Sequence, residues 1–162
     1  MNSKTHLISF CFFLIPFLNA CGFQPIYSEK NYLNDNNNYY AVLNSENSRE
    51  VNSVFNEIFM RSDDETVYKI EVQISERLIP LVINNDGTVS KYKIEILSSF
   101  DLININNAEL IHSNSSRGFN SYNVESSEYN TGENKKIALQ QATREALQIL
   151  ITKIQNHLAK II

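Results

Sequence analysis

Cys21 is a residue on which chemistry is done rather than one that performs it. It closes the run Leu18-Asn19-Ala20-Cys21-Gly22. Small and aliphatic residues before such a cysteine form the signal at which a bacterial precursor is cut and its new N-terminal cysteine acylated. The preceding segment has the three parts of a secretory leader, with Lys4 as its basic tip, Leu7–Leu18 as its apolar run and Asn19-Ala20 as the small approach to the cut. That run is shorter than the roughly 20 apolar residues that span a bilayer. Residues 1–20 are therefore expected to be a lipoprotein signal peptide, and Cys21 a palmitate-type lipid anchor. Several acyl chains hold a protein where one alone binds marginally.

A second set of chemically able residues is cationic. Arg77, Lys91, Lys93 and Arg117 recur around an expected hairpin, beside the apolar run Leu78-Ile79-Pro80-Leu81-Val82-Ile83. Guanidinium and ammonium groups both pair with phosphate, and an apolar segment next to them would suit an amphiphile with a phosphorylated head. The plainer reading is a solvated face, with Glu71, Glu76 and Glu95 near enough to neutralise the bases. The run 78–83 is harder to assign to solvent, because an exposed apolar patch at a hairpin tip wants a partner.

No catalytic arrangement accompanies them, and the chain is not expected to be an enzyme. The four glycines (Gly22, Gly87, Gly118, Gly132) are dispersed, so no phosphate loop forms. His6, His112 and His157 lie far apart in sequence, and His112 reads as a half-exposed strand residue. Asp63-Asp64-Glu65 reads as a solvated turn. Cys11 lies within the leader and Cys21 would carry lipid, leaving no thiol for a disulfide, a metal or a nucleophile. The expectation is no metal and no cofactor beyond the covalent lipid. A net charge of −4 without a Lys/Arg run argues against nucleic acid.

The elements that must position the bases follow from periodicity. Residues 21–38 read as a lipidated N-terminus and polar linker, and residues 39–162 as a single α/β sandwich domain. Tyr39–Leu43 is a short strand candidate. Val51, Val54, Phe55, Ile58 and Phe59 then recur at helical spacing. They predict a helix over about 47–61, with Ser45 as its cap. From Val67 the period falls to 2, with Tyr68, Ile70, Val72 and Ile74 on one side, and Asn84-Asn85-Asp86-Gly87 is a hairpin turn. Tyr92, Ile94 and Ile96 face opposite Lys91, Lys93 and Glu95 on the return strand. A turn at Asn104–Asn107 precedes a third, more polar strand running to about Tyr122. The closing segment from Ile137 carries Leu147, Ile151, Ile154 and Leu158 on one stripe, widened by Ala138, Ala142, Ala146 and Leu150. That width suits a sheet. The predicted fold is α+β: a four-stranded, mainly antiparallel sheet with two helices packed on one face, in the order β-α-β-β-β-α.

Taken together, the parts resemble the LptE family of lipopolysaccharide (LPS) assembly lipoproteins. The likeness rests on Cys21-Gly22-Phe23-Gln24-Pro25-Ile26-Tyr27, on Gly87-Thr88-Val89-Ser90-Lys91-Tyr92 turning into a long strand, and on Tyr122-Asn123-Val124 before Tyr129 and an Ala-bearing last helix. It departs from the family in the apolar loop around Pro80 and in a last helix poorer in Ala and acids. The resemblance implies a partner without catalysis, lipid-anchored at the outer membrane on its periplasmic side or inside the lumen of an LptD-type barrel. There it would serve LPS transport as plug and assembly partner and bind LPS. Gly22 agrees with that destination, because an Asp after the cysteine commonly signals retention at the inner membrane. The alternative is a free-standing periplasmic lipoprotein that binds a lipid or peptidoglycan fragment without a barrel.

Overall fold

A computed structural model describes residues 39–59 and 66–161. The expected leader, Cys21, the linker and the acidic run 63–65 lie outside the described residues. The elements are β1 (Tyr39–Leu43), α1 (Arg49–Ile58), β2 (Tyr68–Ile83), β3 (Val89–Asn104), β4 (Glu109–Asn123) and α2 (Glu128–Ile161). They form one sheet in the order β1-β2-β3-β4, with two helices, as expected. β1 runs parallel to β2, and the other neighbours are antiparallel. A parallel pair needs a crossover, and α1 supplies it.

Ser48, not Ser45, caps α1, its Oγ accepting from the Val51 N–H at 3.4 Å. Ser45 Oγ accepts instead from the Ile74 N–H at 3.0 Å, so its hydroxyl serves the sheet edge beyond β1. The helix also stops earlier than its apolar pattern suggests. Its last residue is Ile58, and Phe59 leaves helical geometry while its ring packs 4.8 Å from that of Phe55.

The core follows the predicted alternation. Ile70, Val72 and Ile74 of β2 and Ile94, Ile96, Phe100 and Leu102 of β3 are buried beneath the helices. From α1 come Val51, Val54 and Phe55. From α2 come the expected alanines with Leu147, Leu150, Ile154 and Leu158, while Ile151 is only half-buried. α2 starts nine residues before the Ile137 from which the closing segment was expected, and Ile137 itself is exposed, so the buried stripe begins at Ala138. That polar first stretch is held by capping rather than by packing. The Asn130 N–H donates to Ser127 Oγ, and Thr131 Oγ1 donates to the Ser127 carbonyl and accepts from the Glu125 N–H.

Where α2 crosses β4 the sheet presents Ser116 and Gly118. A β-carbon on Gly118 would stand 2.0 Å from the Ala142 carbonyl oxygen. Ser116 Oγ donates to the Ala146 carbonyl at 2.7 Å and shares a 2.7 Å hydrogen bond with Ser98 Oγ. These hydroxyls satisfy each other within the core, as buried polar groups must.

His112 of β4 and His157 of α2 stack with ring centroids 4.0 Å apart and planes within 2°, with Phe100 edge-on to His112. Sequence distance hid this pair. Nε2 of His157 is buried without a partner among the described residues. Burial lowers the His157 pKa, and His112 and Lys160 lower it further. A base with a depressed folded pKa binds fewer protons when folded, so its contribution is full above about pH 6.5 and falls away below. Wild type should lose more melting temperature than His157→Phe between about pH 7.5 and pH 5.5. Phe keeps a ring on His112 and removes the titration, so parallel losses in thermal denaturation would contradict this account.

Candidate functional site

The helices cover one face of the sheet, and between the register shifts the odd-numbered residues of β2, β3 and β4 point away from them. Strand pairing sets their neighbours: Arg77 lies opposite Glu95, Ile79 opposite Lys93, Leu97 opposite Arg117 and Glu95 opposite Phe119. The four bases expected to act together therefore share the open face. Arg77, Lys93 and Arg117 surround Glu95, and Lys91 lies two residues beyond Lys93 toward the hairpin end.

Their surroundings differ. Arg77 donates through Nε, at 2.8 Å, and through Nη2 to Glu95 Oε2. Glu95 is only 8 % exposed, although it lies on the face without helices. Lys93 Nζ stands 4.1 Å over the Phe119 ring, a favourable cation–π distance. Among the described residues Lys91 and Arg117 have no ion-pair partner. Arg77 first, and Lys93 and Arg117 by their charge, hold the Glu95 carboxyl below the usual carboxylate range. Three cations thus answer to one anion. Ser75, Glu76, Arg77, Glu95, Leu97 and Arg117 line an open cleft of about 340 Å³.

Of the acids expected to neutralise the bases, only Glu95 does so. Glu71 pairs with Lys69 further down β2, and Glu76 makes no ion pair among the described residues. The roles of Glu95 and Phe119 were not visible as part of a site. Alternation puts Glu95 beside Lys93, but only the register of β2 and β4 brings Arg77, Arg117 and Phe119 to it.

Beyond the cluster the hairpin outruns its cover. The alternation expected of β2 ran from Val67 to Ser75, with Arg77 on the same limb and the apolar run 78–83 at the hairpin tip. In the structure the strand continues through Ile83, and the turn comes after it. The Gly87 N–H bonds to the Asn84 carbonyl, and Gly87 has φ of 84°, which favours glycine. Asp86 Oδ1 accepts from both the N–H and the hydroxyl of Thr88. Pairing with β3 runs on to Ile83, across register shifts between Pro80 and Val82 and between Val82 and Ile83, and keeps the segment extended despite Pro80. The Val72 carbonyl accepts from the Asn44 N–H, and the Ile74 N–H donates to Ser45, so even-numbered backbone groups of β2 face the β1 side. Pro80 shares that parity, and its missing donor falls on an edge that β1 has already left. A proline there also discourages a further strand from pairing. Leu78, Leu81, Val82 and Ile83 are 40–65 % exposed.

The architecture matches several solved proteins. One is a protein of Caulobacter crescentus CB15 named as a lipoprotein, with a TM-score of 0.60 and 13 % identity over 77 % of this chain and 93 % of that one. Rare lipoprotein B of Shewanella oneidensis aligns with a TM-score of 0.56 and 8 % identity over 76 % and 97 % of the two chains. A minor lipoprotein of Acinetobacter baumannii aligns at 0.55 and 10 % identity over 74 % and 90 %. The chain has a fold found in bacterial lipoproteins. At these identities the likeness is one of fold. No family model and no curated protein matches the sequence. Among the described residues no helix is long and apolar enough to cross a membrane, and no cluster of three His, Cys, Asp or Glu could hold a metal.

Proposed function

We propose that the chain is an outer-membrane lipoprotein of the LptE kind, anchored through Cys21. In this reading it is not an enzyme and needs no cofactor. It binds LPS and acts as plug and assembly partner of a large LptD-type β-barrel. The observation that carries the reading is the junction on one hairpin of a cationic open face with an exposed apolar end. Phosphates of the head group would meet Arg77, Lys91, Lys93 and Arg117, and acyl chains would meet Leu78–Ile83. The lipoprotein fold and the processing signal before Cys21 support the same reading. So does the largely polar open face below the cluster, where Lys69, Glu71, Gln73, Ser99, Asp101 and Ser113 suit a polar barrel lumen.

The test is binding of purified LPS by wild type and by the combined Arg77→Ala, Lys91→Ala and Lys93→Ala variant, at low and high salt, beside recovery of the barrel after mild detergent extraction. The variant should bind LPS about tenfold or more weakly at low salt, with the difference shrinking as salt screens the charges. Barrel recovery should persist. Melting is followed in parallel, because removing Arg77 leaves the shielded Glu95 without its ion-pair partner. Unchanged LPS binding would move the site off this hairpin. A chain recovered alone with a bound amphiphile would make it a free-standing periplasmic lipoprotein.

A further inference from the structure

The cluster contains a residue that works against the ligand proposed for it. We propose that Glu95 is a built-in competitor that sets the affinity of this face for phosphate-bearing amphiphiles, by occupying Arg77 and opposing the anion with its own charge. The inference rests on the LPS-binding reading above and adds the residue that limits it.

The geometry is specific. Nε and Nη2 of Arg77 both turn toward Glu95 Oε2, while the Arg77 side chain as a whole stays 71 % exposed. The rest of its guanidinium therefore faces solvent, within the cleft it shares with Arg117. An anionic group entering there meets two guanidinium groups, but also the Glu95 carboxylate that lines the cleft with them, as Glu76 does. Lys93 adds attraction from the same face, where it stands over the Phe119 ring. The resting cluster of Arg77, Lys93, Arg117 and Glu95 carries two net positive charges rather than three. Because Arg77 already holds Glu95 ionised, that opposing charge is present throughout the neutral range.

The arrangement makes binding reversible. When the anion leaves, Arg77 and Glu95 still hold each other, so neither is left as a charge without its partner. Without Glu95 the same seat would hold its ligand longer. A merely structural ion pair predicts the reverse, since its loss would loosen Arg77 and weaken binding.

Glu95→Gln separates the two. The amide oxygen can still accept from Arg77, so the guanidinium keeps its orientation while the charge is lost. Purified LPS should bind this variant roughly five- to tenfold tighter at low salt, the size expected of one unit charge close to a solvent-open site. Glu71→Gln removes the same charge from the same face beside Lys69, away from the cluster, and should stay within about twofold of wild type. Thermal melting of each variant reports whether it is folded. Glu95→Gln binding no more tightly than wild type would overturn the role of Glu95, as would an equal gain in Glu71→Gln. If the triple-base variant had meanwhile lost binding, the LPS reading would stand without it. No binding by wild type or any variant would overturn both.

Discussion

Gly118→Ala should cost about 3 kcal/mol or more, at the upper end of what overpacking does. The new methyl would stand 2.0 Å from the Ala142 oxygen and 2.6 Å from the Ala146 nitrogen, both backbone atoms in the middle of a 34-residue helix. Neither atom can swing aside. Relief requires α2 to move off β4 by roughly 1.4 Å to reach ordinary contact. That movement would break bonds along the whole crossing. Ser116 would lose the Ala146 carbonyl, the Phe119 N–H its 2.7 Å bond to Glu145, and Asn120 its 2.6 Å bond to Gln141. A melting temperature about 10 °C lower is the expected result, and Gly118→Val should not fold. Gly132→Ala is the control. It lies in the same helix with nothing within 4 Å of its added carbon, and should stabilise by about 0.5 kcal/mol through helix propensity. A Gly118→Ala protein as stable as wild type would mean that the helix does not rest on this strand.

The second large effect concerns the buried stripe of α2. Leu147 and Ile154 have no exposed surface. Truncating either to Ala should cost about 2–5 kcal/mol, the transfer term plus the cavity left behind. Leu147→Ala should stand nearer the upper end, because its neighbours are held by the two fixed crossings at Gly118 and Ser116. Gln148→Ala, one residue along on the exposed side, should change stability by no more than about 0.5 kcal/mol. Chemical denaturation of the three variants measures the comparison. Equal losses would mean that the stripe does not face the sheet.

Both expectations show where local pattern suffices and where it fails. Leu147 and Ile154 were legible as core because helical spacing depends only on the chain's own geometry. Ile70, Val72, Ile94 and Ile96 were legible because alternation does likewise. Gly118 was not. It read as one of four scattered glycines, and its closeness to Ala142 follows from how deeply a helix 24 residues away in sequence settles on its strand. The first turns of α2 were missed for the opposite reason. They bury little, so no apolar period marks them, and the signal that holds them is the capping by Ser127 and Thr131. The functional face was legible in part. Alternation put Lys91 and Lys93 on one side of β3, and composition marked 78–83 as an apolar run in need of explanation. Neither said how the segment through Pro80 stays paired, because proline reads as a strand breaker unless its missing donor falls on a free edge.

The sequence by itself determined the order of the elements, the buried side of β2, β3 and α2, and the turn at Asn84–Gly87 that joins the long strands. Each is set by periods of 2 or 3.6 residues and by turn chemistry, properties of short stretches of chain. Tertiary structure alone decided which charges meet. Glu95 joins Arg77, Lys93 and Arg117, rather than remaining one of three nearby acids, because strand register brings residues 18 and 22 positions away onto its flanks. His112 and His157 stack because α2 returns along the full length of β4. Register and helix seating are set by the packing of the whole core, and a single exposed charge contributes too little energy to announce its place beforehand.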